Sequence, residues 1–405
     1  MSCFSKAEKA NDGLGWNVAL CVVIAWLSGG LGVVLPNLMP FWKAHGITID
    51  QVWVLQGLFA LTVALCTVPF GLLADAKGRK SCMLSGLVLH LAGELAYLFG
   101  DSFLAFLIAE VFMGVGVALV SGADSSLLFD TLKARGDEES HPKWAGLAQG
   151  GLFCLSAAVS LLAGVIGAVD ERLPFVVSSS FVALQLVLVL FVKEPKVDSE
   201  ERLVSVAQIP QVLGFCFRPG SQQFWLIGAW SLCTVGTWLA VWFYPLCFER
   251  AGLTVGQQGA VFCFYNTVAA LASFGARRLK EKSSIPVALL LFVGCSALGH
   301  LLLGTLAVAW AFVFGALHQV VRGAGPVIFG HALHKQTGSE IRATVLSVQG
   351  AFATLLYGGI NLRLGACVEA FGFQAVLVTL ALVLLAAALG VRALHPGSEE
   401  TASDD

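Results

Sequence analysis

The stretch Gly71-Leu-Leu-Ala-Asp-Ala-Lys-Gly-Arg-Lys80 places four charged side chains between two long apolar runs. The runs on either side, 52–70 and 83–99, contain a single charged residue, Glu94. Each run is close to the length of helix that crosses a hydrocarbon layer roughly 30 Å thick. The stretch therefore predicts a tight charged turn between two membrane helices.

The composition extends this prediction to the whole chain. Of its 405 residues, 57% are hydrophobic and 12% are charged, whereas a soluble domain has roughly 25% charged residues. Backbone polar groups in lipid must bond within the protein, so only helices or a closed barrel can span a membrane. The apolar runs are rich in Leu, Ala, Val and Gly and lack strict alternation, which indicates an all-α membrane protein.

Twelve apolar runs separated by short polar connections predict twelve transmembrane helices. They divide into two sets of six, which we expect to form one bundle over residues 1–192 and a second over 222–395. The polar segment 193–221 predicts a linker between them. The acidic residues 396–405 predict a disordered tail, because a short charged segment has little apolar surface to bury.

The distribution of basic residues predicts the orientation of the chain. With the N-terminus inside, 19 of the 24 Lys and Arg residues lie on the inner side, four lie on the outer side, and Arg322 falls within a span. Basic residues accumulate in cytoplasmic loops. Both termini and the linker are therefore predicted to be cytoplasmic.

The two halves also repeat. Residues 41–51 match residues 247–257 at an offset of 206, with the shared pattern Gly-x-Thr followed by Gln. The charged turn has a weaker counterpart at 274–280, which keeps basic residues but lacks the acid. Parallel six-helix repeats joined by a linker are typical of secondary transporters.

These motifs resemble those of the major facilitator superfamily over essentially the whole chain. Gly71-x-x-x-Asp75-x-x-Gly78-Arg79-Lys80 is similar to the family signature between helices two and three. Glu110-x-x-x-Gly114-x-Gly116 is similar to its fourth-helix signature, although the family usually has arginine where this chain has Glu110. The Gly-Pro pattern of drug/proton antiporters is not found within 144–169. The resemblance implies two six-helix bundles that work by alternating access.

The resemblance also implies that the charged turn is a gating hinge. In the family, the acid matching Asp75 contacts the neighbouring bundle, and the arginine matching Arg79 pairs with an acid low on helix four, for which Asp130 is placed. A tight turn needs the backbone freedom of glycine at Gly78. The alternative is a simple basic anchor, which has no need of Asp75. The predicted hinge residues are Gly71, Asp75, Gly78, Arg79, Lys80 and Asp130.

Charged side chains within spans are costly in lipid and mark functional sites. The resemblance places helices one, four, seven and ten beside the cavity. Glu110 and Asp124 are 14 residues apart, close to four helical turns, and are predicted to share a face. His318 and Arg322 are one turn apart, and Trp238 could stack on a substrate. We predict that these five residues bind substrate or a proton; the alternative is a silent structural pair such as Asp124 with Arg322.

Other classes of function have no support in the sequence. It contains no phosphate-binding loop, metal-ligand spacing or nucleophile elbow, so we expect neither an enzyme nor a cofactor. A net charge of -2 and the absence of a long basic tract argue against nucleic acid.

We therefore predict a monomeric secondary active transporter in a bacterial inner membrane. It would move a small organic solute, coupled to protons and in contact with lipid, with efflux favoured. The alternatives are an uptake symporter for a small organic anion or zwitterion, and a receptor or scaffold that does not transport.

Overall fold

The computed structural model describes residues 2–121, 123–137, 140–195, 209–306, 308, 310–337 and 342–396. Within these ranges the regular structure is helical, and twelve helical segments are long and apolar enough to cross a membrane. The predicted all-α architecture with twelve spans is confirmed. The side chain of Asp75, residues 196–208 of the predicted linker and residues 397–405 of the predicted tail lie outside the described part. The cytoplasmic location of the termini stays a prediction.

The twelve spans are built from α-helices and two short 3-10 turns. In the described ranges the helices are α1 (Ser2–Leu27), α2 (Leu35–Ala44), α3 (Ile49–Lys77), α4 (Arg79–Phe99), α5 (Phe103–Ser121), α6 (Ala123–Ala134), α7 (His141–Val169), α8 (Leu173–Phe191), α9 (Ile209–Cys216), α10 (Gln222–Val241), α11 (Tyr244–Arg250), α12 (Val255–Lys282), α13 (Ile285–Thr305), α14 (Ala316–Lys335), α15 (Arg342–Phe371) and α16 (Phe373–Ala393). Span 1 combines α1 and α2, span 4 combines α5 and α6, and span 7 combines α10 and α11. The short helix α9 lies within the predicted linker.

Span 1 is interrupted by a glycine-rich 3-10 turn at Ser28–Val33. A Cβ on Gly29 would lie 2.4 Å from the carbonyl oxygen of Leu152, so only glycine lets this turn approach α7 so closely. The hydroxyls of Ser156 and Ser160 donate hydrogen bonds to the carbonyls of Gly29 (3.1 Å) and Gly32 (3.0 Å). These bonds supply the two carbonyl groups with hydrogen-bond donors, which lipid does not contain.

The sequence repeat at 41–51 and 247–257 is explained by its geometry. Gly46 and Gly252 both have positive φ, at 72° and 70°. Two residues later, the hydroxyl of Thr48 accepts the backbone N–H of Gln51, whose side chain accepts the backbone N–H of Thr48. Thr254 and Gln257 exchange the same two bonds at the start of α12. Both halves thus begin their second span with a capping box.

Helices α4 and α5 pack closely through glycines. A Cβ on Gly86 would lie 2.7 Å from the carbonyl oxygen of Gly116, and one on Gly93 would lie 2.8 Å from that of Ala109. Small residues of this kind let helix backbones approach each other in membranes. The contact brings the polar residues of α4 beside those of α5.

The residues cluster into two compact units. The first comprises Met1–Leu203, Leu253–Thr267 and Gly358–Gly365, and the second comprises Val204–Gly252, Val268–Tyr357 and Ala366–Asp405. Within the first unit, a Cβ on Gly164 in α7 would lie 2.1 Å from the Cα of Gly256. Close contact of this kind assigns short pieces of the second half to the first unit. The domain boundaries taken from the sequence stay predictions.

Candidate functional site

The charged turn is formed by Gly78, which ends α3 and begins α4. Its backbone angles, φ 96° and ψ 142°, lie in a region that side chains with a Cβ rarely adopt. Gly71 lies earlier, inside α3, where a Cβ would meet no atom within 4 Å. The turn therefore depends on glycine at position 78, and a hinge role for Gly71 stays a prediction.

The side chain of Arg79 pairs with that of Asp130 across helices α4 and α6. Arg79 Nε lies 2.7 Å from Asp130 Oδ2, and the two side chains are only 12% and 7% exposed. Breaking a shielded pair by removing one partner leaves a charge without compensation. The structure thus brings together the two residues that the family resemblance paired, and their role in gating stays a prediction.

Glu194 is a further member of this site that sequence reasoning missed. Its carboxylate accepts the backbone N–H groups of Arg79 (2.7 Å) and Lys80 (2.9 Å). A carboxylate at this position caps the first turn of α4 and complements the positive end of its dipole. The Lys80 ammonium donates to the carbonyl of Leu190 at 2.7 Å. The sequence did contain a sign of this role. An acid lies directly after the sixth span, among basic residues on the side predicted to be cytoplasmic.

Asn17 holds the backbone of Lys193, the residue before Glu194, by hydrogen bonds. Its side chain accepts the backbone N–H of Lys193 at 2.8 Å and donates to the carbonyl of the same residue at 3.0 Å. It also donates to the hydroxyl of Thr131 at 2.9 Å. Asn17 is buried, so these bonds replace those that water would make. Helices α1, α4 and α6 thus hold the start of the predicted linker.

Glu110 lies inside the first unit. Its Oε1 accepts hydrogen bonds from Gln56 Nε2 (3.0 Å) and the Tyr97 hydroxyl (2.5 Å), and the residue is 3% exposed. Both donors are neutral, and no basic side chain in the described part of the chain pairs with this carboxyl group. Gln56 and Tyr97 are absent from the sequence prediction, because 54 and 13 residues separate them from Glu110.

An aromatic layer holds the donor Tyr97 in place. Its ring is stacked between those of Phe106 (centroids 5.2 Å apart) and Phe175 (5.1 Å). Phe41 packs edge-on against Phe106 at 5.5 Å. We call these four rings the aromatic layer. Because stacked rings leave Tyr97 little freedom, its hydroxyl stays aimed at Glu110.

Glu110 and Asp124, which the sequence predicts to share a helix face, lie on two consecutive helices, α5 and α6. The carboxyl group of Glu110 contacts Gln56 and Tyr97, and Asp124 is not among its partners. Asp124 is half-buried in the first turn of α6, a separate helix that follows α5. A binding role for each acid stays a prediction.

His318 and Arg322 lie on the same helix, but their contacts differ. His318 is fully buried, and its Nε2 lies 2.9 Å from His300 Nδ1 in α13. Arg322 is half-buried and donates to Gln319 Oε1 at 3.1 Å. Gln319 in turn donates to the Tyr244 hydroxyl at 3.1 Å. Sequence reasoning missed His300, since its partner is 18 residues away on another helix.

Trp238 is half-buried in α10, with its ring edge-on to Tyr357 at 5.6 Å between centroids. The indole N–H of Trp242, one turn later, donates to the Tyr357 hydroxyl at 2.7 Å. Tyr357 is therefore fixed between the two tryptophans. This arrangement can present an aromatic edge to a ligand, and the predicted stacking role of Trp238 stays a prediction.

Twelve apolar helical segments in the described ranges, two of them joined by a glycine turn with a shielded Arg–Asp pair, define a polytopic helical membrane protein. A family model for the Major Facilitator Superfamily matches residues 18–360, and the chain belongs to this family. It is a multi-pass inner-membrane transporter and not an enzyme.

Two curated relatives match part of the chain. It is 24% identical over 168 residues to the quinolone resistance protein NorA of Staphylococcus aureus (strain MRSA252), covering 41% of this chain and 42% of NorA. It is 28% identical over 138 residues to the inner membrane transport protein YajR of Escherichia coli (strain K12), covering 34% of this chain and 29% of YajR. The match thus spans less than half the length of either relative.

Solved structures match nearly the whole chain. The nucleoside transporter NupG superposes with a TM-score of 0.76 at 13% identity, covering 93% of this chain and 99% of NupG. A POT family transporter in complex with a thioalcohol conjugated peptide gives a TM-score of 0.71 at 14% identity, covering 95% and 96%. At these identities the likeness shows the fold alone.

Proposed function

We propose that the protein exports a small organic solute in exchange for protons, by alternating access, and that Glu110 carries the proton. One observation supports the coupling most directly: a carboxyl group buried within span 4 has two neutral donors, Gln56 and Tyr97, as its partners. A charge moved into a membrane interior needs a compensating partner. For Glu110, a proton can be that partner.

Glu94, a second buried acid of the first unit, provides a contrast with Glu110. Its carboxylate accepts the hydroxyl of Ser178 at 2.6 Å and lies 3.5 Å from His90 Nε2 on its own helix. Glu94 is 1% exposed, as deeply buried as Glu110, but it has a basic neighbour. Burial alone therefore does not distinguish the two acids, whereas the basic neighbour does.

We assign gating to the turn around Gly78. Its conformation requires glycine, and the Arg79–Asp130 pair and the Glu194 cap hold it on both sides. A turn held by polar contacts can change partners between two states of a transporter. Asp75 and Lys80 belong to the same proposed hinge, with Asp75 as the acid that the family pattern requires.

The direction of transport is proposed from similarity. NorA is, by its name, a quinolone resistance protein, which fits export of a small aromatic solute. Trp238 and Tyr357 supply an aromatic surface on which a flat solute could stack. We therefore choose the quinolone norfloxacin as the first probe.

Purified protein in proteoliposomes tests this proposal. We expect an imposed pH gradient to drive norfloxacin uphill with wild-type protein, and Glu110→Gln to abolish this while leaving downhill exchange. Glu94→Gln is the matched control and should keep gradient-driven transport. If Glu110→Gln retained full uphill transport, Glu110 would not be the proton carrier.

A second candidate, uptake of a small organic anion or zwitterion, has one observation in its favour. Arg322 is half-buried within span 10, and a positive charge placed within a membrane span can attract an anion. The same vesicles, loaded with a panel of organic anions and zwitterions under the opposite gradient, would detect uptake. Absence of flux or exchange for every solute and gradient would favour a receptor or scaffold.

A further inference from the structure

A cluster of charged side chains closes one end of the first unit, the end predicted to face outward. His45 lies between α2 and α3, Asp101 between α4 and α5, and Glu171 and Arg172 between α7 and α8. His45 Nε2 lies 3.3 Å from Asp101 Oδ1, 3.9 Å from Glu171 Oε1 and 3.2 Å from Arg172 Nη2. We call these four residues the outer cluster. Contacts with the His45 imidazole ring thus join the α2–α3, α4–α5 and α7–α8 loops.

The backbone sets the tautomer of this ring. His45 Nδ1 lies 2.8 Å from the carbonyl oxygen of Phe41, one turn earlier. A carbonyl only accepts hydrogen bonds, so Nδ1 must carry a hydrogen at any pH. In the neutral ring Nε2 therefore carries no hydrogen and has a free lone pair. Nε2 is the atom at which a proton can add.

The neighbours of Nε2 favour opposite protonation states of this nitrogen. A guanidinium only donates, so the contact with Arg172 requires the lone pair of a neutral ring. Carboxylates only accept, so a hydrogen bond to Asp101, at 3.3 Å, requires an N–H, which Nε2 has only in the protonated ring. The Glu171 carboxylate, at 3.9 Å, is beyond hydrogen-bond distance and contributes negative charge. Arg172 also contacts Asp101 through the same Nη2 and donates through Nη1 to the carbonyl of Leu98, at the end of α4.

We propose that the outer cluster is a proton-binding site. One proton from the outer solution adds to Nε2 of His45, and the ring exchanges its hydrogen bond from Arg172 for one to Asp101. The ring then carries a positive charge beside the guanidinium, so the contact between them becomes repulsive. Proton uptake therefore changes the bonds that join the three connections.

The cluster also adjoins the aromatic layer that positions Tyr97 above Glu110. The His45 ring packs against Phe41 (centroids 4.2 Å apart) and edge-on to Phe106 (5.7 Å). Phe106 stacks on Tyr97, the donor to Glu110. The charged groups facing His45 are thus Asp101, Glu171 and Arg172, and its remaining ring neighbours are apolar. A role for this site in transport rests on the proposed proton coupling, whereas proton binding itself does not.

Nitrogen NMR of the full-length protein with 15N-labelled histidine tests the binding. The His45 signals are identified as those missing from His45→Gln. As the pH is lowered, we expect Nε2 to gain a hydrogen while Nδ1 keeps its hydrogen throughout. Asp101→Ala should alter the Nε2 chemical shift of the protonated ring, because it removes the carboxylate that accepts the new hydrogen. The control His141→Gln should leave the His45 signals in place.

Three results would overturn the site: no change at Nε2 on acidification, a change at Nδ1 instead, or an unaltered Nε2 shift of the protonated ring in Asp101→Ala. Norfloxacin export as a function of outer pH tests the role in transport, and we expect His45→Gln to lose this dependence. If His45→Gln kept it, the role in coupling would be overturned. If norfloxacin transport by the wild-type protein did not respond to any pH gradient while Nε2 still gained its hydrogen, the proposed function would fail and the proton site would stand.

Discussion

Glu194 accepts the backbone N–H of Arg79 at 2.7 Å, capping a helix that begins 115 residues earlier in the chain. The side chain of the same arginine meets Asp130 at 2.7 Å. Arg79 is therefore held through its backbone by the start of the predicted linker and through its side chain by α6. Gly78 permits this turn because its φ of 96° lies in a region that residues with a Cβ rarely adopt.

The Glu194 cap should contribute measurably to stability. We expect Glu194→Ala to destabilise the protein by about 1 kcal/mol, the usual worth of a helix N-cap. Glu194→Gln should lose less, since its amide oxygen can still accept one backbone N–H. Melting temperatures of the detergent-purified protein measure both, with the exposed Glu369→Ala as control. Equal melting temperatures for Glu194→Ala and wild type would contradict the cap.

Arg79 and Asp130 should be energetically coupled. Each single variant, Arg79→Gln or Asp130→Asn, removes one half of the shielded ion pair and should destabilise strongly. The double variant should lose less than the sum, with a coupling energy of about 1–3 kcal/mol. A double-mutant cycle on melting temperatures and on transport rates measures this. Additive effects would mean that the ion pair has no energetic role.

Gly164 should be intolerant of any side chain. A Cβ there would lie 2.1 Å from Gly256 Cα and 2.7 Å from the carbonyl oxygen of Val255. These are backbone atoms, which cannot rotate away, so Gly164→Val should cost about 1–3 kcal/mol or more and slow transport. Gly150→Val is a matched control on the same helix, because a Cβ at Gly150 meets nothing within 4 Å. The interpretation fails if the two variants behave alike.

His141 should make the protein sensitive to acid. Its ring packs edge-on against Phe129 at 5.4 Å, and burial lowers the pKa of His141 below its ordinary value of 6.5. As the pH falls below 6.5, the unfolded chain takes up a proton that the folded protein does not, so stability falls. His141→Gln removes this term. Its melting temperature should therefore decline less than that of wild type between about pH 7 and pH 5, and a larger decline would contradict the assignment.

Local features of the fold were predictable from sequence because their causes are local. The capping boxes at Thr48 and Thr254 involve residues three positions apart. The positive φ of Gly78 likewise follows from a tight turn between two helices. The pairing of Arg79 with Asp130 came from family resemblance, since no pattern in the intervening 50 residues indicates it.

Predictions based on helical phase were less informative about contacts. A spacing of one turn placed His318 and Arg322 on one face, yet His318 contacts His300 and Arg322 contacts Gln319. Phase gives the direction in which a side chain leaves its own helix. It does not give the neighbouring helix that packs there.

The sequence by itself determined the class of this protein, the number of its spans and the position of its charged turn. Hydropathy and turn chemistry are properties of neighbouring residues, and lipid allows few alternatives to a helix. Only the tertiary structure decided the partners of Glu110, which are Gln56 and Tyr97, whereas the basic neighbour of Glu94, His90, lies one turn away on the same helix. The reason is that helix packing selects partners from distant parts of the chain, and these partners determine how a buried charge is compensated.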